Sequence, residues 1–245
     1  MTKRLCRQIG FGKPLLFWGF SLAFGVSRRT SMCSALSSHI LSLLYNQYYF
    51  IFAILPILLF FCGSVMEDDP IIFVLRYGSY KHYFTSKWRS LGVLCSGLWL
   101  GQITILFVTG AGLSVIKQGW DNFSGSSLLK EIAPLLVKSF PGAWVAVFCA
   151  AVYMLMGYWL IALLTLWLGH FLQRQKAIKV LLALYILTIL SIKLPIMSRP
   201  PFCYLTGINH WVLLLHNLTA GWRFPLTVIV TLLFVVTVIC SIQGG

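Results

Sequence analysis

The sequence predicts an all-α polytopic membrane protein with six transmembrane helices and both termini on the cytoplasmic side. Three observations carry that expectation. Of 245 residues, 59% are apolar and only 10% charged, and the mean hydropathy is +0.87. A soluble domain carries about 25% charged residues, so there is too little polar surface here to coat a globule in water. Apolar stretches of about 17–25 residues, the length that crosses a bilayer, recur along the chain. Lys and Arg punctuate those stretches and do not gather on a polar domain.

The formal charge is +14, from 19 basic and 5 acidic residues. Basic residues spread between apolar segments act as topology signals and anionic-lipid contacts. Membrane lipid is therefore an expected partner and nucleic acid is not. The seven cysteines form no CxxC pair, and most lie in apolar runs. They read as small buried hydrophobes, with no disulfide framework or zinc site in their spacing.

The elements follow in order. Residues 1–13 carry Lys3, Arg4, Arg7 and Lys13 without an acid, as a short cytoplasmic interfacial segment would. The first span is expected at 11–27, with Lys13 snorkelling. It is read as uncleaved, because no small-x-small pattern precedes Arg28 and Arg29. Residues 30–46 form a semi-polar connection with a surface helix through Ala35, Ile40 and Leu44. The second span is 48–66, rimmed by Tyr48, Tyr49 and Phe50.

The third span is expected at 91–116. It is rich in small residues, and Gly97 and Gly101 form a GxxxG pattern that lets helices approach closely. Residues 117–141 are a polar loop with a short surface helix at 128–137. The fourth span is 142–172, followed by a tight basic turn with Arg174, Lys176 and Lys179. The fifth is 177–197 and the sixth 225–242. Between these two, 198–223 holds an apolar run at 210–218 that is too short to span, as in a re-entrant or interfacial segment.

Orientation comes from the cations. With both termini inside, eleven Lys and Arg fall in cytoplasmic segments: Lys3, Arg4, Arg7, Lys13, Arg76, Lys81, Lys87, Arg89, Arg174, Lys176 and Lys179. Eight fall outside: Arg28, Arg29, Lys117, Lys130, Lys138, Lys193, Arg199 and Arg223. That bias favours the cytoplasmic membrane with both termini inside.

Chemistry is constrained by absences in the sequence. There is no GxxxxGK[ST] loop; Gly10-Phe11-Gly12-Lys13 lacks the spacing and a preceding strand. There is no HExxH, GxSxG or paired-glutamate motif, and the spans read as almost free of polar groups. His210 and His216 lie six apart and do not share a helical face. His39 and His82 have no partner pattern, and His170 reads as an interface residue. Two sequons, at Asn122 and Asn217, read as chance matches. No catalytic, cofactor-binding or metal-ligating residue is expected.

The most patterned segment is 67–88. Glu67, Asp68 and Asp69 precede Pro70, a strong helix start with acids at the positive end of the dipole. Ile71, Val74 and Leu75 supply an apolar face, and Arg76 lies near the end. Gly78 breaks the helix and Ser79 caps a second one. The pattern predicts two short helices at an angle on the cytoplasmic surface.

An acid at the end of span two, then PIIFVLRYGSYKHYFTSKW with its Arg76-Tyr77-Gly78-Ser79 turn and Lys87-Trp88 entry into span three, resembles the permease subunits of bacterial type-2 ABC exporters. The six-span layout, the short lead helix and the apolar hairpin before the last span are similar too. The resemblance implies a coupling helix at Pro70, Ile71, Val74, Leu75, Arg76, Tyr77, Gly78 and Ser79 that docks on a separate ABC ATPase subunit. It implies that Glu67, Asp68 or Asp69 is a hinge or network acid. It further implies a second permease subunit, the same or different, with ATP and Mg held by the ATPase and none by this chain. The substrate expected is amphipathic or apolar: a peptide, an antibiotic or a lipid-like molecule. The alternative is a non-transporting assembly, immunity or sensor subunit.

Overall fold

The computed structural model describes residues 2–29, 35–66, 77–115, 134–193, 212–213, 231 and 233–238. All five acids of the chain fall outside that set. The described residues are helical with short turns, and the single β pairing among them is an isolated bridge between Ala35 and Ser114.

Helix α1 (Thr2–Ile9) is basic, and it buries Leu5 and Ile9, which stand one turn apart on one face. Gly10 follows with φ of 71°, a left-handed conformation that glycine adopts without strain. The chain thereby bends 71° into α2 (Gly12–Arg28). Helix α3 (Leu36–Leu44) meets α4 (Gln47–Gly63) at 50°. Asn46 sits at that bend, and its side chain accepts the Tyr49 backbone N–H at 2.9 Å, capping α4. Within α4, residues Phe50–Ile54 form a π-turn just before Pro56. Proline has no N–H for the regular ladder and its ring crowds the preceding turn, so a widened turn there is the expected accommodation.

The two longest helices are α5 (Tyr80–Thr109) and α6 (Ala143–Phe171); α7 (Arg174–Lys193) follows α6 directly. Among the described residues only α5 and α6 are each long and apolar enough to cross a membrane, and counting each bent pair as one span brings that number to four. Thirty residues of α-helix measure about 45 Å, against about 30 Å of hydrocarbon. The surplus of α5 lies at its start, where Lys81, His82 and Arg89 are found. Helix α5 packs against α1, α2, α3 and α6, while α6 also receives α3, α4 and α7.

Tryptophan cements these contacts. A Cβ at Gly92 would come 2.8 Å from the Trp159 ring, and one at Gly101 would overlap the Trp18 indole. The indole N–H groups donate across helices: Trp18 to the Leu98 carbonyl at 3.2 Å, Trp99 to Ala151 at 2.9 Å, Trp88 to Trp159 at 3.3 Å. An apolar surrounding offers no water, so each indole N–H needs such an acceptor.

The helices alternate in direction. Lys13 of α2, Phe60 of α4 and Arg174 of α7 line one cleft, and Tyr80 of α5 stacks on His170 of α6 at 4.6 Å. At the opposite end, Arg29 donates to the Ala111 carbonyl at 2.6 Å, and the Leu36 N–H to Ser114 at 3.1 Å.

Several expectations change. The segment at 35–46 is no surface helix: every residue of α3 is buried between α5 and α6. Ser42 donates locally to the His39 carbonyl at 2.7 Å, whereas Ser38 Oγ and His39 Nδ1 are buried without a hydrogen-bond partner among the described residues. The helix capped by Ser79 is not short. It runs without a break to Thr109, because neither proline nor glycine interrupts 80–91. The third span thus ends at 109 rather than 116. The basic turn shrinks to Leu172 and Gln173, with Arg174, Lys176 and Lys179 inside α7. Cys62 and Cys95 are buried as expected, but Cys6 is exposed. The expected segment 198–223 lies outside the described residues except for 212–213, and of the expected sixth span 225–242 only 231 and 233–238 are described.

Candidate functional site

Four helices meet around one buried amide. Gln102 of α5 is fully buried and uses both halves of its side chain. Its Nε2 donates to the Tyr49 hydroxyl of α4 at 3.2 Å, and its Oε1 accepts from the Tyr158 hydroxyl of α6 at 2.7 Å. The Tyr49 hydroxyl in turn donates to Ser21 Oγ of α2 at 2.8 Å, and Ser21 donates to the Phe17 carbonyl at 2.9 Å. The chain has one direction: Tyr158 to Gln102 to Tyr49 to Ser21 to backbone. Each hydroxyl donates once and accepts from a neighbour except Tyr158, which begins the chain. Such a connected network offsets much of the cost of burying its members and ties four helices together.

The expectation that the spans are almost free of polar groups is therefore corrected. Ser21, Tyr49, Gln102 and Tyr158 were legible singly, since a glutamine amid an apolar helix marks a site by default. Their convergence was not, because it depends on how four helices are rotated. A smaller contact at the opposite end joins α3 to α5. His39 Nε2 lies 3.2 Å from Thr109 Oγ1, and Thr109 donates to the Leu106 carbonyl at 3.1 Å. His39 thus has a partner that its sequence neighbours did not announce.

The surface turn at Tyr77, Gly78 and Ser79 is the described part of the expected docking segment. Gly78 has φ of 70°. The Ser79 side chain accepts the His82 backbone N–H at 3.3 Å, which caps α5. Tyr77 meets Tyr83 edge-on at 5.5 Å. Tyr80, one residue past the cap, stacks on His170, so the turn is tied to the start of α5 and the end of α6 together. From this turn α5 continues unbroken to Gln102, roughly 35 Å along the axis at 1.5 Å per residue.

Glu67, Asp68, Asp69, Pro70, Ile71, Val74, Leu75 and Arg76 lie outside the described residues. Gly101 receives the Trp18 indole, whereas nothing lies within 4 Å of a Cβ placed at Gly97. Gly97 lines a cleft of about 250 Å3 between the α1–α2 elbow and α5. Among the described residues no cluster of His, Cys, Asp or Glu could hold a metal ion. Compared with protein-family models, with curated proteins and with solved structures, the chain matches none.

Proposed function

We propose that this chain is the membrane-spanning permease subunit of an ATP-driven ABC exporter that moves an amphipathic or apolar substrate out of the cell. The observation that carries the reading is the continuity of α5 from the capped turn at Ser79 to the buried Gln102. A helix moves as a rod, so a push on the turn is felt at the junction of α2, α4, α5 and α6. Tyr80 on His170 passes the same push to α6.

In this reading the chain has six spans with both termini inside. Support comes from the clustering of Lys3, Arg4, Arg7, Lys13, Lys81, Lys87, Arg174 and Lys176 at the end where α2, α5 and α7 begin. The segment 70–79 docks on a separate ATPase, which holds ATP and Mg, since this sequence has no P-loop. The hydrogen bonds around Gln102 tie the four helices together, so this reading puts the substrate route outside their junction. The substrate route then runs between this chain and a second permease subunit.

The test is purification with the partner ATPase. Charge reversal at Arg76, with Ile71→Ala and Leu75→Ala, is expected to abolish both copurification and substrate-stimulated ATP hydrolysis. Unchanged ATPase binding and transport in that variant would sink the docking assignment. A second reading, a non-transporting assembly, immunity or sensor subunit, is favoured by the same hydrogen-bonded junction, which such a subunit would have no need to open. Purification of the chain from its native membrane without any ATPase would decide for it.

A further inference from the structure

Helix α5 packs chiefly against α1, α2, α3 and α6, so α4 reaches it through a few side chains. One such link is the Tyr49–Gln102 hydrogen bond at 3.2 Å. Another is a pair of thiols: Cys62 of α4 and Cys95 of α5 have no exposed surface, and their sulfurs lie 4.0 Å apart. Cys95 stands seven residues before Gln102, about two turns along the same face of α5. Cys62 is one residue from the end of α4. A bond between them would close residues 63–94 into a loop that holds the turn at Tyr77, Gly78 and Ser79.

Sulfurs 4.0 Å apart are in van der Waals contact, and a disulfide draws them to about 2.0 Å. The approach needed is about 2 Å, shared by two side chains that already face each other. We propose that Cys62 and Cys95 form a redox-sensitive staple, which hydrogen peroxide closes into a disulfide that locks α4 to α5. One sulfur attacks a peroxide oxygen, becomes a sulfenic acid and releases one water. The second sulfur displaces the sulfenic hydroxyl, which leaves with the second thiol's proton as another water. The two thiols give up two electrons and two protons, and the peroxide takes both. Peroxide suits the site because it is small and uncharged. A disulfide the size of oxidised glutathione cannot enter a contact with no exposed surface. Burial slows the first step, since the thiolate is the attacking form. The second step is fast by proximity, so the sulfenic acid passes to the disulfide before further oxidation. The closed staple stops α4 from sliding on α5. Its effect on the 70–79 docking segment rests on the exporter reading; its formation does not.

The test uses the full chain reconstituted in phosphatidylcholine vesicles and treated with hydrogen peroxide. Free thiols are alkylated after unfolding, and the digest is read by mass spectrometry. The wild type is expected to yield a Cys62–Cys95 peptide pair two hydrogens lighter than its parts, which dithiothreitol separates. Its thermal midpoint should rise by about 5 °C or more, as closing a loop of this length does. Cys62→Ala and Cys95→Ala should each abolish both changes. Peroxide-treated wild type with both thiols free, or with either sulfur as a sulfinic acid in place of the pair, overturns the proposal. So do cross-links at Cys62 or Cys95 that join two copies, and a Cys62–Cys95 bond that leaves the midpoint unchanged. These readouts on the wild type need no ATPase, so the staple and the exporter reading can fail separately.

Discussion

The Tyr158 hydroxyl donates to Gln102 Oε1 at 2.7 Å, and this bond joins the two longest helices at the centre of the bundle. Tyr158 is the head of the chain that ends at Ser21, so the two ends of the network differ in consequence. Tyr158→Phe removes one donor and leaves one acceptor of Gln102 bare, at a cost of about 1 kcal/mol. Gln102→Leu strands the Tyr158 hydroxyl and removes the donor to Tyr49, which keeps its bond to Ser21, and should cost about 2 kcal/mol. The check is unfolding of the detergent-solubilised protein, with the Tyr158→Phe/Gln102→Leu double variant closing a cycle. A coupling energy near zero would mean the bond does not persist.

Two glycines of α5 give a second expectation. Gly92→Ala would set its methyl 2.8 Å from the Trp159 ring, and Gly101→Ala would drive into Trp18. Overpacking of this kind costs about 1–3 kcal/mol. Gly97→Ala meets open space and should be neutral or slightly stabilising through helix propensity. Thermal midpoints of the three single variants separate these cases. Equal behaviour of Gly97→Ala and Gly101→Ala would contradict the packing described, and partial rescue of Gly101→Ala by Trp18→Leu would support it.

Local features were legible in the sequence. Ser79 as a cap follows from a rule one residue long, and the fourth span expected at 142–172 is a helix at 143–171. What the sequence hid was relational. Residues 36–44 hold three serines and a histidine, a composition that suits a surface; only their neighbours α5 and α6 make the segment core. Residues 80–90 hold Lys81, His82 and Arg89, which read as a separate surface helix. Polar residues and continuous helix are compatible, however, when the helix outreaches the bilayer. The contacts among Ser21, Tyr49, Gln102 and Tyr158 depend on helix rotation, which no single segment encodes.

Cysteine reactivity follows from burial. Cys6 on α1 is exposed, whereas Cys62 of α4 and Cys95 of α5 are buried with their sulfurs 4.0 Å apart. In a background lacking the other cysteines, Cys6 should label rapidly with a maleimide. Cys62 and Cys95 should label only after unfolding. A membrane-impermeant maleimide further reads sidedness: Cys6 should react in inverted vesicles and stay protected in intact cells, if the basic end faces the cytoplasm. Labelling of Cys6 from outside intact cells would reverse the topology and with it the location of the 77–79 turn.

The turn itself allows stability and coupling to be separated. Gly78 sits at φ of 70°, where a Cβ costs about 1–2 kcal/mol, and no atom lies within 4 Å to add a clash. Ser79→Ala loses the cap on α5, about 1 kcal/mol. That loss frays the first helical turn and leaves Gln102, some six turns away, undisturbed. Ser79→Ala should therefore lower the thermal midpoint only slightly. Hydrogen exchange should rise at His82 and its neighbours while the amides around 102 keep wild-type protection. Ser79→Asp restores an acceptor at the cap and should restore protection at His82. If α5 transmits motion from this turn, Ser79→Ala lowers transport more than stability, and Ser79→Asp recovers both. Transport that follows the thermal midpoint alone across Gly78→Ala, Ser79→Ala and Ser79→Asp would leave the turn a structural cap with no part in coupling.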